Sequence, residues 1–155
     1  VIASPIPPDT NILEQSSGKH VWLQPVPPTT PVFSIGDHTI NIGHFVHAII
    51  QQPELTTGGK YVFATTETTT LGEYLECWGE ISGKKTEYVQ VSFEAYDRLW
   101  PMWGLEVGKD LGCWAEFGAE SWGSEKWIGK EELGLGSELV GFPQALVALV
   151  ESEHR

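Results

Sequence analysis

The string TTTLGEYLECWGEISGKKTEYVQVS, residues 68–92, constrains the fold more than any other part of the chain. Thr70 and Glu73 have the spacing of a capping box, in which each side chain bonds the other residue's backbone amide. Leu71, Tyr74, Leu75, Trp78 and Ile81 then recur with helical period, while Glu73, Glu76 and Glu80 line the other side. Gly83 stands where a helix ends in a left-handed residue without a Cβ penalty. Within a few residues the period drops to two in TEYVQVS, the alternation of a strand. A helix running straight into a strand is the repeating unit of α/β architecture.

The flanking sequence continues the alternation. HVWLQ (20–24) and VFSI (32–35) read as short strands separated by PVPPTTP, which excludes helix and interior strand because proline lacks the ladder donor. TINIGHFVHAII (39–50) reads as a helix with Asn41 at the N-cap. At 100° per residue Ile42, Phe45, Val46, Ile49 and Ile50 fall on one side and His44, His47 and Gln51 on the other. KYVFATT (60–66) has strand composition. Ser92 can cap FEAYDRLW, which Pro101 interrupts, and a further helix is expected over Leu105 to Phe117. EKWIGKEELGL reads as an irregular connection, and Pro143 suits the first turn of a last helix, PQALVALVESE. The expected organisation is an extended, Pro- and Ser-rich arm over residues 1–19 and one folding unit over residues 20–155.

With 41 % apolar and 19 % charged residues the chain should form a packed core, and no apolar run reaches the roughly 20 residues that span a bilayer. Nine Lys and Arg against 21 Asp and Glu give a net charge of -12, a field that repels phosphate backbones and anionic membranes, so neither nucleic acid nor membrane is an expected partner. Cys77 and Cys113 fall in helix-like segments without CxxC spacing, which fits a reducing compartment and a cytoplasmic location. Residue 1 is Val and nothing resembles a signal peptide, so a portion of a longer protein or a processed chain is expected.

Linear motifs for chemistry are sparse. His44 and His47 could share a cation with Asp37 or His38, but two ligands at i, i+3 fall short of the three or four that zinc takes, and a polar helix face explains them equally. GLGSEL (134–139) lacks the third glycine of a dinucleotide loop, and TTGGK lacks the upstream glycine of a phosphate loop. No Tyr has Lys four residues on, and there is no GxSxG elbow or HExxH helix. The positive signal is aromatic. Tyr96, Trp100, Met102 and Trp103 in and before LWPMWG, with Trp114 and Phe117 in CWAEFG, offer adaptable apolar surface for a small-molecule pocket. A plain core or a dimer contact would use the same residues. Asp97 and Arg98 beside them can be polar anchors or a surface pair.

GKYVFATTETTTLGEYLECWGEISGKKTEYVQVSFEAYDRLW, with GLEVGKDLGCWAEFGAESWG and KEELGL after it, resembles the C-terminal half of fungal NmrA-like proteins, an atypical branch of the short-chain dehydrogenase/reductase superfamily. The resemblance runs from about Val32 to Leu135 and is most specific in SGKKTEYVQVS and WAEFGAESWG. It implies an α/β fold, the substrate-side portion of a Rossmann-type architecture with short strands alternating with helices and without the glycine-rich dinucleotide motif. Where family members commonly carry Asp two residues before Gly, this chain has Asn41, which is read as structural.

The resemblance also implies a function. The chain would be the half that binds an apolar small molecule, with no cofactor of its own. NAD(P) would enter only through a separate N-terminal Rossmann half, and a homodimer or that missing half would cover the exposed apolar surface. The alternative is a truncated, cofactor-independent cyclase or isomerase of fungal secondary metabolism that holds its substrate in a reactive conformation.

Overall fold

The computed structural model describes residues 12–14, 16–122 and 126–153. Residues 1–11 and 15 of the expected arm lie outside them, and residues 12–14 form a strand rather than an isolated extended segment. In order the elements are β1 (Ile12–Glu14), β2 (Lys19–Gln24), β3 (Pro31–Ser34), α1 (His38–Gln51), α2 (Pro53–Thr56), β4 (Glu67–Thr70), α3 (Leu71–Ser82), β5 (Lys85–Gln90), α4 (Phe93–Leu99), α5 (Trp103–Phe117), a 3₁₀ turn (Gly118–Trp122) and α6 (Phe142–Glu153). This is the mixed α/β alternation expected. The chain segregates into two compact units, one of Val1–Val32 and Thr69–Gly123, the other of Phe33–Thr68 and Ser124–Arg155.

The first unit is built on a three-stranded sheet in the order β1-β2-β5. β1 runs antiparallel to β2, and β2 runs parallel to β5 with Trp22 opposite Tyr88 and Gln24 opposite Gln90. Paired positions share a sheet face, so Trp22 and Tyr88 project together. Their rings meet edge-on at 5.8 Å. Around Trp22 pack Leu71 and Leu75 of α3, Tyr96 of α4, and Val107, Leu111 and Trp114 of α5. The Tyr88 hydroxyl donates to Val26 O at 2.7 Å, and burial pushes its pKa far above the ordinary tyrosine value, so it stays a neutral donor. α3 has both halves of its capping box, and Gly83 closes it at φ 68°.

α4 and α5 touch through glycine. Gly104, Gly108 and Gly112 recur every fourth residue, which aligns them along one face of α5. A Cβ on Gly104 would stand 2.6 Å from Asp97 Cα. The Phe93 ring lies against the faces of Gly108 and Gly112, 3.3 and 3.1 Å from where their Cβ atoms would be.

The second unit corrects two sequence expectations. α1 begins earlier than Asn41: Asp37 is its N-cap, accepting from Thr39 N at 2.9 Å. Asn41 is instead completely buried inside the helix. Its amide donates to Ile35 O at 2.6 Å and Val140 O at 2.7 Å, and its Oδ1 accepts from Val140 N at 2.9 Å. These three bonds turn the helix so that Asn41, Phe45 and Ala48 face inward, while Val46 and Ile50, expected on the apolar side, are exposed. Phe45 and Ala48 pack with Ile128 and Leu133.

The second correction is KYVFATT, which is not a strand. It contributes one parallel bridge, Val62 to Ile128, and the strand of this region is β4, farther on. Thr65 N turns back onto Phe63 O at 2.9 Å, and Thr66 N with the hydroxyls of Thr65 and Thr66 all donate to Ser34 O. Threonine's short polar side chain competes with the ladder here and ends it.

Two expectations follow. Asn41→Ala removes three hydrogen bonds at a completely buried position and leaves Ile35 O and Val140 N without the partner it supplied, while Val140 O keeps the Asp37 amide, so it should cost about 2 to 3 kcal/mol, read as a lower urea midpoint at constant slope. Glu73 accepts from Thr70 N at 2.8 Å and from the Thr69 and Thr70 hydroxyls, which hold its carboxyl below the ordinary value of 4.5. A depressed folded pKa gives stability that is complete above the unfolded value and lost as pH falls through the folded one. Glu73→Gln should therefore flatten the acid limb of the stability curve below about pH 4.5, measured by thermal melts from pH 6 to 3.

Candidate functional site

β2 and β5 end side by side. Proline stops β2 at Pro25, and Val91 N donates to Gln24 O at 2.9 Å, so the two chains leave the sheet together. Ser92 then caps α4 by accepting from Ala95 N at 3.1 Å, which sets Phe93 at the mouth of the strand ends. α5 runs past the same point. Between them lies an open cleft of about 730 Å³. Its floor and first wall are Pro25, Val26, Pro27, Gln90 and Phe93, and its second wall is one stripe of α5: Leu105, Lys109, Gly112, Cys113, Glu116 and Phe117. The carboxyl ends of parallel strands are where α/β sheets ordinarily bind ligands, and the volume is that of a small-molecule site.

The aromatic residues singled out from sequence do not gather around this cleft as a group. Tyr96 (3 % exposed) and Trp114 (8 %) are core. Trp100 meets Tyr96 with ring centroids 4.7 Å apart and planes tilted by 50°, and packs against the same core. Met102 (89 %) and Trp103 (66 %) stand on the surface where α4 turns into α5, Met102 at φ 75°. Phe117 (51 %) alone of the six lines the cleft. The reason is position along the helix: Trp103 and Trp114 lie three turns apart, about 16 Å along α5. Asp97 offers Gly104 its backbone as a packing surface, and neither Asp97 nor Arg98 lines the cleft.

Sequence reasoning passed over Phe93, Leu105, Lys109 and Cys113. The signal was there, since Leu105, Lys109, Gly112 and Glu116 follow helical spacing beside the buried stripe of Gly104, Val107, Leu111 and Trp114. It also passed over an aromatic ladder in the second unit. Phe33 meets Phe63 at 5.5 Å, Phe63 meets Trp127 at 5.7 Å, and Trp127 meets Tyr61 at 6.4 Å.

His38, His44 and His47 lie on α1, and no three His, Cys, Asp or Glu side chains among the described residues are placed to hold a metal ion. No helix among them is long and apolar enough to cross a membrane. Cys77 and Cys113 are not joined in a disulfide.

The helix entrances at this end of the sheet combine prolines with acidic side chains. β2 is followed by Pro25, Pro27 and Pro28, which have no amide to offer a pyrophosphate. α4 carries Glu94 in its first turn, and α3 carries Glu73 bonded across its cap. The burial of the aromatic residues makes a sharp contrast testable: Trp114→Ala should cost about 3 to 5 kcal/mol and Trp103→Ala less than about 0.5, compared by urea midpoints.

No curated protein sequence matches this chain significantly. Solved structures do, and two of them are forms of NmrA. One is the crystal structure of NmrA, a negative transcriptional regulator in complex with NAD, and the other is a doubly substituted NmrA. Each superposes with a TM-score of 0.61 at 16 % identity, over 92 % of this chain and 46 % of the solved chain. At that identity the likeness establishes the fold, and this chain spans under half the length of those proteins. The sequence profile of the NmrA-like family matches residues 2–126, four-fifths of the length, and the chain accordingly belongs to the NmrA-like family.

Proposed function

We propose that this chain is the ligand-side, C-terminal half of a fungal-type NmrA-like protein, and that it binds an apolar small molecule in the cleft at the ends of β2 and β5. The observation that carries the reading is the cleft itself: Phe93, Leu105 and Phe117 remain substantially exposed around a small-molecule-sized space at the carboxyl ends of two parallel strands. Such side chains are normally buried, and their convergence on one concave site favours an apolar occupant.

The proposal gives the chain no NAD(P) site of its own. Support comes from the proline-rich exit of β2 and from the carboxylates at the entrances of α3 and α4, which disfavour a pyrophosphate. A partner carrying a nucleotide-binding half, or a second copy of this chain, would complete the protein in the cytoplasm. Binding is preferred to the cyclase or isomerase reading because Lys109 and Glu116, which line the cleft, stand seven residues apart on one helix. That separation is about 10 Å along the axis, too far for a shared proton.

Phenylnaphthylamine, a neutral apolar dye, should brighten on binding to the chain, and Phe117→Ala should weaken that binding at least about fivefold with little change in urea midpoint. NADP and NADPH titrated calorimetrically should show no low-micromolar binding. Dye binding insensitive to Phe117, or tight binding of NADPH, would overturn the assignment.

A further inference from the structure

We infer that the cleft selects amphipathic monoanions, an apolar body bearing one carboxylate- or sulfonate-type head, and that Lys109 receives the head. The inference rests on the cleft being the ligand site, and adds the chemical class of its ligand.

Lys109 is the single cation among the described residues that line the cleft. Cations are scarce in a chain with nine Lys and Arg against 21 Asp and Glu, and those near an acid or a carbonyl are engaged. Lys19 pairs with Glu87 at 2.6 Å, Lys60 donates to Leu55 O at 2.8 Å, and Lys130 donates to Thr66 O. Lys109 has no hydrogen-bond or ion-pair partner among the described residues, although Glu106 and Asp110 are its near neighbours on α5. Those two acids do not line the cleft. Lys109 stands between Leu105 and Gly112 on the stripe of α5 that lines the cleft, and a lysine in such a place can lay its methylenes on apolar surface while its ammonium stays at the edge.

The strand ends supply a second polar point. Gln24 is completely buried, and neither its amide nitrogen nor its oxygen has a partner. It is the register partner of Gln90, which lines the cleft, so both amides occur on one sheet face at the carboxyl end. Gln24 itself does not line the cleft, and the exposed amide of Gln90 is the group that a ligand head at this end would meet.

Glu116 sets the charge limit. It lines the same stripe two turns beyond Lys109, about 10 Å along the axis. A second anionic group at that span would meet a carboxylate, so a monoanion with an apolar tail is favoured over a dianion.

Two dyes of nearly the same shape test this on the full chain: anilinonaphthalene sulfonate, which carries the head, and phenylnaphthylamine, which lacks it. Lys109→Gln should weaken the sulfonate dye about tenfold, the loss of one charge-assisted contact, and leave the neutral dye within about twofold. Lys109→Arg should restore sulfonate binding, and Glu116→Gln should leave it equal or tighter. Sulfonate binding should also slow alkylation of Cys113, followed by peptide mass. If Lys109→Gln weakens both dyes alike, or neither, the head-group assignment is wrong while the apolar cleft stands. If neither dye binds the unsubstituted chain, the cleft assignment falls and this inference with it.

Discussion

The contact between α4 and α5 through Gly104, Gly108 and Gly112 is the constraint on which the first unit depends. It lets the two helices approach until backbone meets backbone at Asp97 and brings one edge of the Phe93 ring against α5. A larger residue at Gly104 would drive the helices apart, because the obstructing atoms are main chain and cannot rotate away. The cleft exists because of this closeness. Phe93 is held at the ends of the strands, and the neighbouring stripe of α5 becomes the facing wall.

Electrostatics in this chain are arranged around a surplus of acid. Glu73 and Asp37 are tied into helix entrances, where hydrogen bonds hold their carboxyls below their ordinary pKa values: for Glu73 chiefly the Thr70 amide and then the Thr69 and Thr70 hydroxyls, for Asp37 chiefly the Thr39 hydroxyl and then the Thr39 and Ile40 amides. These acids stabilise helix ends. Lys109 differs from the other lysines described above in standing unpartnered beside an apolar hollow. A positive point in a strongly negative chain has to overcome the averaged field, which makes the local geometry of the cleft decisive for any anion that binds.

The parts of the structure legible in sequence are those fixed locally. α3 could be read from its capping box, its stripe and Gly83 because every one of those signals acts within a few residues. The same is true of Ser92 at the start of α4 and of the alternation in β5. Asn41 misled because an N-cap and a buried clamp use the same amide, and the carbonyl that decides between them, that of Val140, is ninety-nine residues away. KYVFATT misled because β-branched composition says nothing about whether Thr65 and Thr66 will spend their donors on Ser34. The tryptophans marked an aromatic-rich region correctly, but sorting core from surface needed the path of α5, and the cleft needed the strand ends as well. The family resemblance named the architecture, whereas the cleft wall had to come from geometry.

The two units have a further property in the order in which they can be made. Each is assembled from two separated stretches of chain, so neither can be complete until the chain has passed through part of the other. Pairing of Lys19 with Lys85, and of the residues that follow in register, closes a loop that contains β3, α1, α2, β4 and α3. Long-range parallel pairing of this kind makes the loop-closure entropy loss come before the contacts that offset it, and slows folding. On a ribosome β2 would wait for β5, its edge unsatisfied on that side, and the stretch from Phe33 to Thr68 would wait for the residues after Gly123. A contiguous fragment cut at any single position divides at least one unit, so this chain is expected to fold only when its separated segments are present together.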